Sequence, residues 1–481
     1  MLQTRYSVDS YQMIYNNNNN ISVHLRDCRY ITAAIYNVLQ LVGINLAVHQ
    51  IVPTLIFMAT ISICIVMVYL QVKSFFSAVT PYCCLCVWLA VFLIYNNTFV
   101  AEWFLWPEIS IMYSVAFIFS TLAAKYTANI YCEARDSIAV HQIFLAFFFL
   151  FLAIGSYQVI LALYLVLSFL FIVLKYKFVP NRKVILSAFL CLVIGGVNSI
   201  LNISLSKLLV SLHLATDASR NASFSFDVIA HNLFEIAKSQ SYLWLTQMST
   251  LPAFILIIFL VICFILLISV IRFVSPRQIV CVIGILVIDF GSLYLIHIVS
   301  GSIWISHRTM VPFWAFIASI IIIVSYFCSY LPFPQSKHRF LALSSCMVIL
   351  ACFVCTSMQQ IYADHIANDR LDMSYAQLIQ NQIDEYEAES GNSILYISSC
   401  LDVSPQYVYP GVKYLGYSIN VKSILSSWAD APLINLTCGK NYQKKEMPSE
   451  LLQYFQSKDW SVWNPEEQLF FNDDTLYICY Y

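Results

Sequence analysis

Between residues 51 and 357 the chain is built of long apolar blocks separated by short polar breaks. The blocks lie near 51–72, 79–96, 110–126, 138–154, 159–175, 184–204, 250–272, 278–298, 309–331 and 340–357. A helix needs about 20 apolar residues to cross a hydrocarbon core of about 30 Å, so the pattern predicts ten membrane spans. The stretch 138–175 is almost continuous, and its division rests on the turn at Gly155-Ser156. Ahead of these blocks, Tyr30 to Leu46 has apolar residues at helical spacing, interrupted by Asn37, Gln40 and Asn45. That spacing predicts an amphipathic helix lying at the membrane surface. Residues 1–30 are polar, carry Arg5, Asp9, Arg26, Asp27 and Arg29, and include the run Asn16 to Asn20.

After residue 357 charged residues return. Helical spacing runs through 373–388, while Gly391 to Ser398 and Thr475 to Tyr480 read as strands. The expected fold is an all-α polytopic membrane protein of about 10–11 spans, followed by a small C-terminal α/β domain. The predicted boundary places the membrane domain at 1–357, with polar loops 1–30 and 205–249, and the second domain at 358–481.

Positive charge sets the predicted orientation, because short cytoplasmic loops are enriched in Lys and Arg. Lys73; Lys125 and Arg135; Lys175, Lys177, Arg182 and Lys183; Arg272 and Arg277; and Lys337 and Arg339 fall in alternate loops. The loops near 97–109 and 155–158 hold no cation, and 299–308 holds only Arg308. The cation-poor set, residues 1–30, 205–249 and the tail are therefore expected on the outer, non-cytoplasmic side of the membrane. An outside N-terminus with three arginines is uncommon, so an eleventh helix preceding Met1 is the natural completion. No cleavable signal is expected, since the first residues are polar.

Composition agrees with the pattern. Sixty per cent of the 481 residues are hydrophobic and 11% are charged, against about 25% charged in soluble proteins. Mean hydropathy is +0.74. A net charge of −1 with no basic patch gives no reason to expect a nucleic-acid partner. Of sixteen cysteines, all but Cys400, Cys438 and Cys479 precede residue 357, mostly in apolar blocks, where cysteine behaves as a small hydrophobe. No Cys pair has a metal-like partner. The tail could hold one disulfide in an oxidising compartment, with one thiol left over. No P-loop, dinucleotide fingerprint, H-E-x-x-H motif or transporter-like repeat is present.

The polar outer segments hold the candidate chemistry. Asp9, in Tyr6-Ser-Val-Asp-Ser-Tyr11, is read as a general base, or more plainly as a loop cap. Tyr11 beside it suits a sugar-binding surface or a membrane interface. Arg29 and Arg308 offer guanidinium forks to a phosphate, or anchor helices at headgroups. Glu102 and Trp103, in Ala101-Glu-Trp-Phe-Leu-Trp-Pro-Glu108, combine an acid with indoles as sugar sites do; an aromatic belt is the plainer reading. Tyr157 and Gln158 form a short outer turn, and His307 precedes Arg308. Asp289 lies mid-span, where a charge costs about 2.5–3.5 kcal/mol on insertion scales. It reads as an interhelical contact or a proton path.

With those residues in order, the chain resembles the polytopic bacterial glucosyltransferases of O-antigen modification, of the serotype-conversion type, within the GT-C class. The resemblance rests on Ser7-Val-Asp9-Ser-Tyr11, then Arg29-Tyr30 leading into the amphipathic helix. Ser156-Tyr-Gln158, then Arg308 before Pro312, and the small outer domain complete it. Such a protein is expected to move a hexose, glucose first, from an undecaprenyl-phosphate-linked donor to a cell-surface glycan such as O-antigen. The resemblance makes Asp9 catalytic and Arg29 and Arg308 donor-phosphate ligands. Tyr11, Glu102, Trp103, Tyr157, Gln158 and His307 are then sugar or acceptor contacts. No protein metal site is expected; a divalent cation held mainly by the phosphate stays open. Implied partners are the lipid-linked donor, the glycan acceptor, the bilayer, a carrier flippase and a carrier-charging glycosyltransferase. The competing reading is a lipid-linked glycan flippase or small-solute transporter, which Asp289 favours and the long polar outer segments oppose. Acyl or phosphoethanolamine transfer is a third, without an outer His/Asp motif or metal cluster to carry it.

Overall fold

Apolar runs become helices because a backbone surrounded by other apolar side chains must satisfy its own hydrogen bonds. The computed structural model describes residues 4–76, 80–132, 137–216, 222–330, 335–401, 407–413, 415, 420–458, 460 and 463–480, and is 71% helical. Three short helices open the chain: α1 (Val8–Tyr15), α2 (Ile21–Arg26) and α3 (Tyr30–Leu41). α4 (Ile51–Lys73), α5 (Pro81–Tyr95), α6 (Thr98–Phe104) and α7 (Ser110–Ala128) follow. A two-strand hairpin, β1 (Tyr131–Cys132) and β2 (Ser137–Ile138), leads to α8 (Val140–Ser156), α9 (Ile160–Lys175) and α10 (Arg182–Ser211). The last helices of this part are α11 (Phe226–Thr246), α12 (Ile255–Val270), α13 (Pro276–Ser292), α14 (Leu295–Ile298), α15 (Pro312–Cys328) and α16 (Gln335–Ser390).

Every one of the ten apolar blocks coincides with a helix. Among the described residues, four helices are by length and composition fit to cross a membrane unaided: α4, Pro107–Ala128, α10 and α16. α5 and α6 qualify together but bend by 44° at Asn96-Asn97. α8, α9, α12 and α15 are apolar but shorter. α9 is enclosed nearly all round by its neighbours, so its apolar surface is spent on protein contacts.

Three polar stretches differ from expectation. Residues 1–30, read as a loop, contain α1 and α2. The 97–109 loop is α6 plus a 3-10 turn at Pro107–Ile109. Most of 205–249 is helical, as the end of α10 and then α11. Polar residues on exposed helix faces lower mean hydropathy without breaking the helix, so hydropathy alone passes over such elements.

α16 has 56 residues, about 84 Å at 1.5 Å per residue. It runs without a break through residue 358. Its first half is apolar; its second half forms one wall of the C-terminal fold. There β3 (Tyr396–Cys400), α17 (Asp430–Cys438), β4 (Gln443–Lys444), α18 (Ser449–Gln456), α19 (Pro465–Gln468), β5 (Leu469–Asn472) and β6 (Thr475–Cys479) build a four-stranded sheet of order β4-β3-β6-β5. β3 is parallel to both β4 and β6, and β5 is antiparallel to β6. Tyr375, Ile379 and Ile383 of α16 share a core with Ile397, Leu433, Leu476 and Ile478. Tyr11 of α1 is buried in that same core, so the start of the chain is packed into its end.

Candidate active site

α1 begins at Ser7, whose hydroxyl accepts the Ser10 N–H at 3.2 Å, while the Ser10 hydroxyl accepts the Ser7 N–H at 2.9 Å. This reciprocal cap satisfies two backbone donors. Both hydroxyls then donate to the buried carboxylate of Glu108, Ser10 at 2.9 Å and Ser7 to the other oxygen. An acid beneath a helix N-terminus is also favoured by the helix dipole. Arg5 donates to the Phe104 carbonyl at 2.7 Å, and the Tyr6 N–H donates to Asp369 of α16 at 2.7 Å. With its base fixed in this way, α1 presents half-buried Asp9 toward Arg308 and Arg29. The Trp428 indole N–H donates to Asp9 at 3.0 Å from the C-terminal domain. Burial raises the Asp9 carboxyl above its ordinary range, opposed by Arg308, the Trp428 hydrogen bond and Arg29.

Arg29 caps α3 after Cys28, which adopts a left-handed backbone with φ +61°. The Gln158 amide donates to the carbonyls of Asp27 and Cys28 at 2.8 and 2.9 Å and holds that turn. Gly155 allows it to sit so close: a Cβ there would lie 2.5 Å from the Tyr30 ring. The Arg29 guanidinium lies 5.3 Å from the Tyr157 ring centre and 3.6 Å from Asp27. Its Nε is buried with no hydrogen-bond partner among the described residues. A buried donor of that kind is costly until an acceptor arrives.

Arg308 is held differently. Its guanidinium lies between two indoles, 4.8 Å from Trp106 and 4.2 Å from Trp304. Glu102, itself fully buried, accepts the Arg308 N–H at 2.6 Å and stands 3.5 Å from its Nε. The Arg308 carbonyl accepts from Trp103 at 3.1 Å and Tyr157 at 3.4 Å. Breaking a buried ion pair from one side costs about 3–5 kcal/mol, because the other charge stays buried. Glu102→Ala is therefore expected to lower thermal stability in detergent by an amount of that order. Glu102→Gln should recover part of it, since its amide oxygen still accepts the Arg308 N–H; equal melting temperatures for wild type and Glu102→Ala would remove this role.

Asp9, Arg29 and Arg308 are thus brought to one place, at the end of the bundle beneath the C-terminal domain. Tyr157 lies between the arginines. Glu102 and Gln158 touch this group from behind, one as the counterion of Arg308 and the other as the clamp on the Arg29 turn. Trp103 is fully buried, stacked on Tyr113 at 4.1 Å, so its indole forms a wall behind Arg308 and presents no open face to a sugar. Tyr11 is enclosed in the C-terminal core and likewise has no exposed ring face. His307 turns the other way, its Nε2–H donating to the Met248 carbonyl at 3.1 Å. It borders a cavity of about 220 Å³ lined also by Glu235, Ser239, Tyr242 and Leu415. Burial pushes His307 down to about 4, so it is neutral at pH 7.

Sequence reasoning passed over Glu108, Trp304 and Trp428. A signal existed for Glu108, a second acid six residues after Glu102 in an otherwise apolar segment. Asp289 of α13 is fully buried, and neither carboxylate oxygen has a hydrogen-bond partner among the described residues. Among the described residues no group of three His, Cys, Asp or Glu side chains could hold a metal ion.

A family model described as Glucosyl transferase GtrII matches residues 1–325. No curated protein and no solved structure matches the chain.

Proposed function

The chain belongs to the GtrII glucosyl transferase family, and from that premise we propose that it moves glucose from an undecaprenyl-phosphate-linked donor to a cell-surface glycan, working at the outer face of a bacterial inner membrane. The observation that carries this reading is the meeting of Asp9 and Arg29, from the polar first thirty residues, with Arg308, from nearly 300 residues further on, at a largely apolar bundle. A lipid-linked donor accounts for a catalytic scaffold of membrane helices. Because the donor arrives activated on its phosphate, no nucleotide-binding fold is needed.

In this reading Asp9 accepts the proton of the attacking acceptor hydroxyl. The new glycosidic bond forms at the anomeric carbon as its bond to the phosphate oxygen breaks. Charge then grows on the leaving lipid phosphate, where Arg29 supplies donors and Arg308 adds positive potential. Glu102 holds Arg308, Gln158 holds the Arg29 turn, and Glu108 holds the helix bearing Asp9. For a divalent cation, this reading leaves most of the ligands to the donor phosphate, since Asp9 supplies a single carboxylate. The lipid-linked donor that such a reaction consumes is made by a glycosyltransferase that charges the carrier and brought to the outer face by a flippase. All ten helical blocks serve as spans or re-entrant segments in this arrangement, with the tail outside.

The test is glycan mass in cells that make the lipid-phosphate-linked sugar, with and without the protein. The expected result is an added hexose per repeat that depends on the protein. Unchanged glycan, with the protein present in the membrane, would overturn the donor and acceptor assignment.

A further inference from the structure

The C-terminal sheet holds a pair of cysteines that take no part in the reaction. Cys400 ends β3, Cys479 ends β6, and the two are direct partners in the parallel register. Partnered residues on neighbouring strands point to the same face, and such strands lie about 4.8 Å apart. That spacing is within the Cα separation of about 4.4–6.8 Å that a disulfide needs. The two side chains also sit in one small buried cluster, where the Cys479 thiol donates to the Tyr480 carbonyl at 3.9 Å. Both are buried beneath Phe455 of α18 and Trp460. Cys438 is directed elsewhere, its thiol donating to the Ala376 carbonyl at 3.8 Å. Cys28, at the other end of the chain, meets Ser206 at 2.8 Å.

A pair of buried cysteines is often only apolar filling. Filling does not require two thiols in register, in contact and at the ends of the two central strands. We infer that Cys400 and Cys479 are joined by a disulfide in the mature protein, with Cys438 left as a thiol. This rests on the outer placement of the tail proposed above, because disulfides persist in oxidising compartments.

The oxidant is a protein disulfide of the thiol–disulfide oxidoreductase class. One thiolate of the pair attacks it, giving a mixed disulfide and releasing one oxidoreductase thiolate. The second cysteine then attacks the sulfur of the first, forming the intramolecular bond and expelling the other oxidoreductase thiolate. Two electrons pass to the oxidoreductase, and the two protons lost by the pair balance the two thiolates released. Both cysteines are buried once the sheet is complete, so the exchange belongs to folding, before β6 docks against β3. The bond closes most of the C-terminal domain into one loop, which restricts the unfolded chain. It also joins the parallel strands that no short turn connects.

The test uses full-length wild-type protein. Thiols are blocked with an alkylating reagent at the moment of lysis, and the protein is digested without reductant and analysed by mass spectrometry. The expected product is a peptide pair linking Cys400 to Cys479, separated by reductant, with Cys438 alkylated. Side of membrane is read in parallel on Glu389→Cys, an exposed position at the end of α16, using an impermeant maleimide on spheroplasts. Alkylated Cys400 and Cys479 with Glu389→Cys labelled from outside would overturn the disulfide and leave the outer placement standing. The same thiols with Glu389→Cys protected until lysis would overturn both. A link from Cys438 to either partner would overturn the pairing.

Discussion

Asp9→Asn is expected to reduce glucosyl transfer by about 10²–10⁴-fold, the usual contribution of a positioned acid or base, with the protein still made and inserted. The substitution keeps the shape of the side chain, and its amide oxygen can still accept from Trp428, so α1 keeps its hold on the C-terminal domain. What it removes is the proton acceptor. A pH profile separates that loss from a general disturbance. A base works only when deprotonated, so transfer should fall as pH drops through the Asp9 pKa. Because burial raises that pKa, the acidic limb of kcat/KM should lie above the range of an ordinary carboxylate. The residual activity of Asp9→Asn should have lost this limb. Near-normal transfer by Asp9→Asn, or an unchanged acidic limb, would return Asp9 to a helix residue that only bonds Trp428.

The second large effect is expected at Arg29. Arg29→Lys should lose about 10²–10³-fold in rate, the scale seen when one donor to a developing anion is removed. Lysine keeps the charge but replaces a planar fork with a point. Arg29 has a donor to offer, since its Nε finds no partner among the described residues. Arg308→Lys should keep most of the activity. Glu102 can still pair with an ammonium there, and the contribution assigned to Arg308 is positive potential. If both lysine variants are fully active at matched membrane levels, the guanidinium leaves the mechanism. If only Arg308→Lys is impaired, the two arginines exchange roles.

Charge in a chain so apolar is conspicuous, which is why Asp9, Arg29 and Arg308 could be picked out from sequence. The apolar blocks were legible for the same reason, and all ten are helices. The strands at Tyr396–Cys400 and Thr475–Cys479 also stood out by their β-rich composition. What sequence could not carry is the partner of each group. Glu102 beside two tryptophans looks like a sugar contact until Arg308, 206 residues away, is found on its carboxylate. Trp103 and Tyr11 have the right rings for a sugar, but burial is set by packing between segments that no local pattern relates. α1 was hidden for a similar reason. It is a polar helix of eight residues, short enough to be marginal alone, and it is held by Glu108, Asp369 and the tail.

The family match ends at residue 325, yet Asp9 is bonded to Trp428, and Tyr6 to Asp369. Tyr15 of the same short helix bonds Asn441. The helix that bears Asp9 is in effect shared property: one face is fastened to the bundle through Glu108 and the other to the C-terminal domain. An exchange of tails between relatives would therefore not be a swap of independent modules. A foreign tail would have to bring its own seat for α1, and a chimera without one would have the two arginines in place and no carboxylate held opposite them.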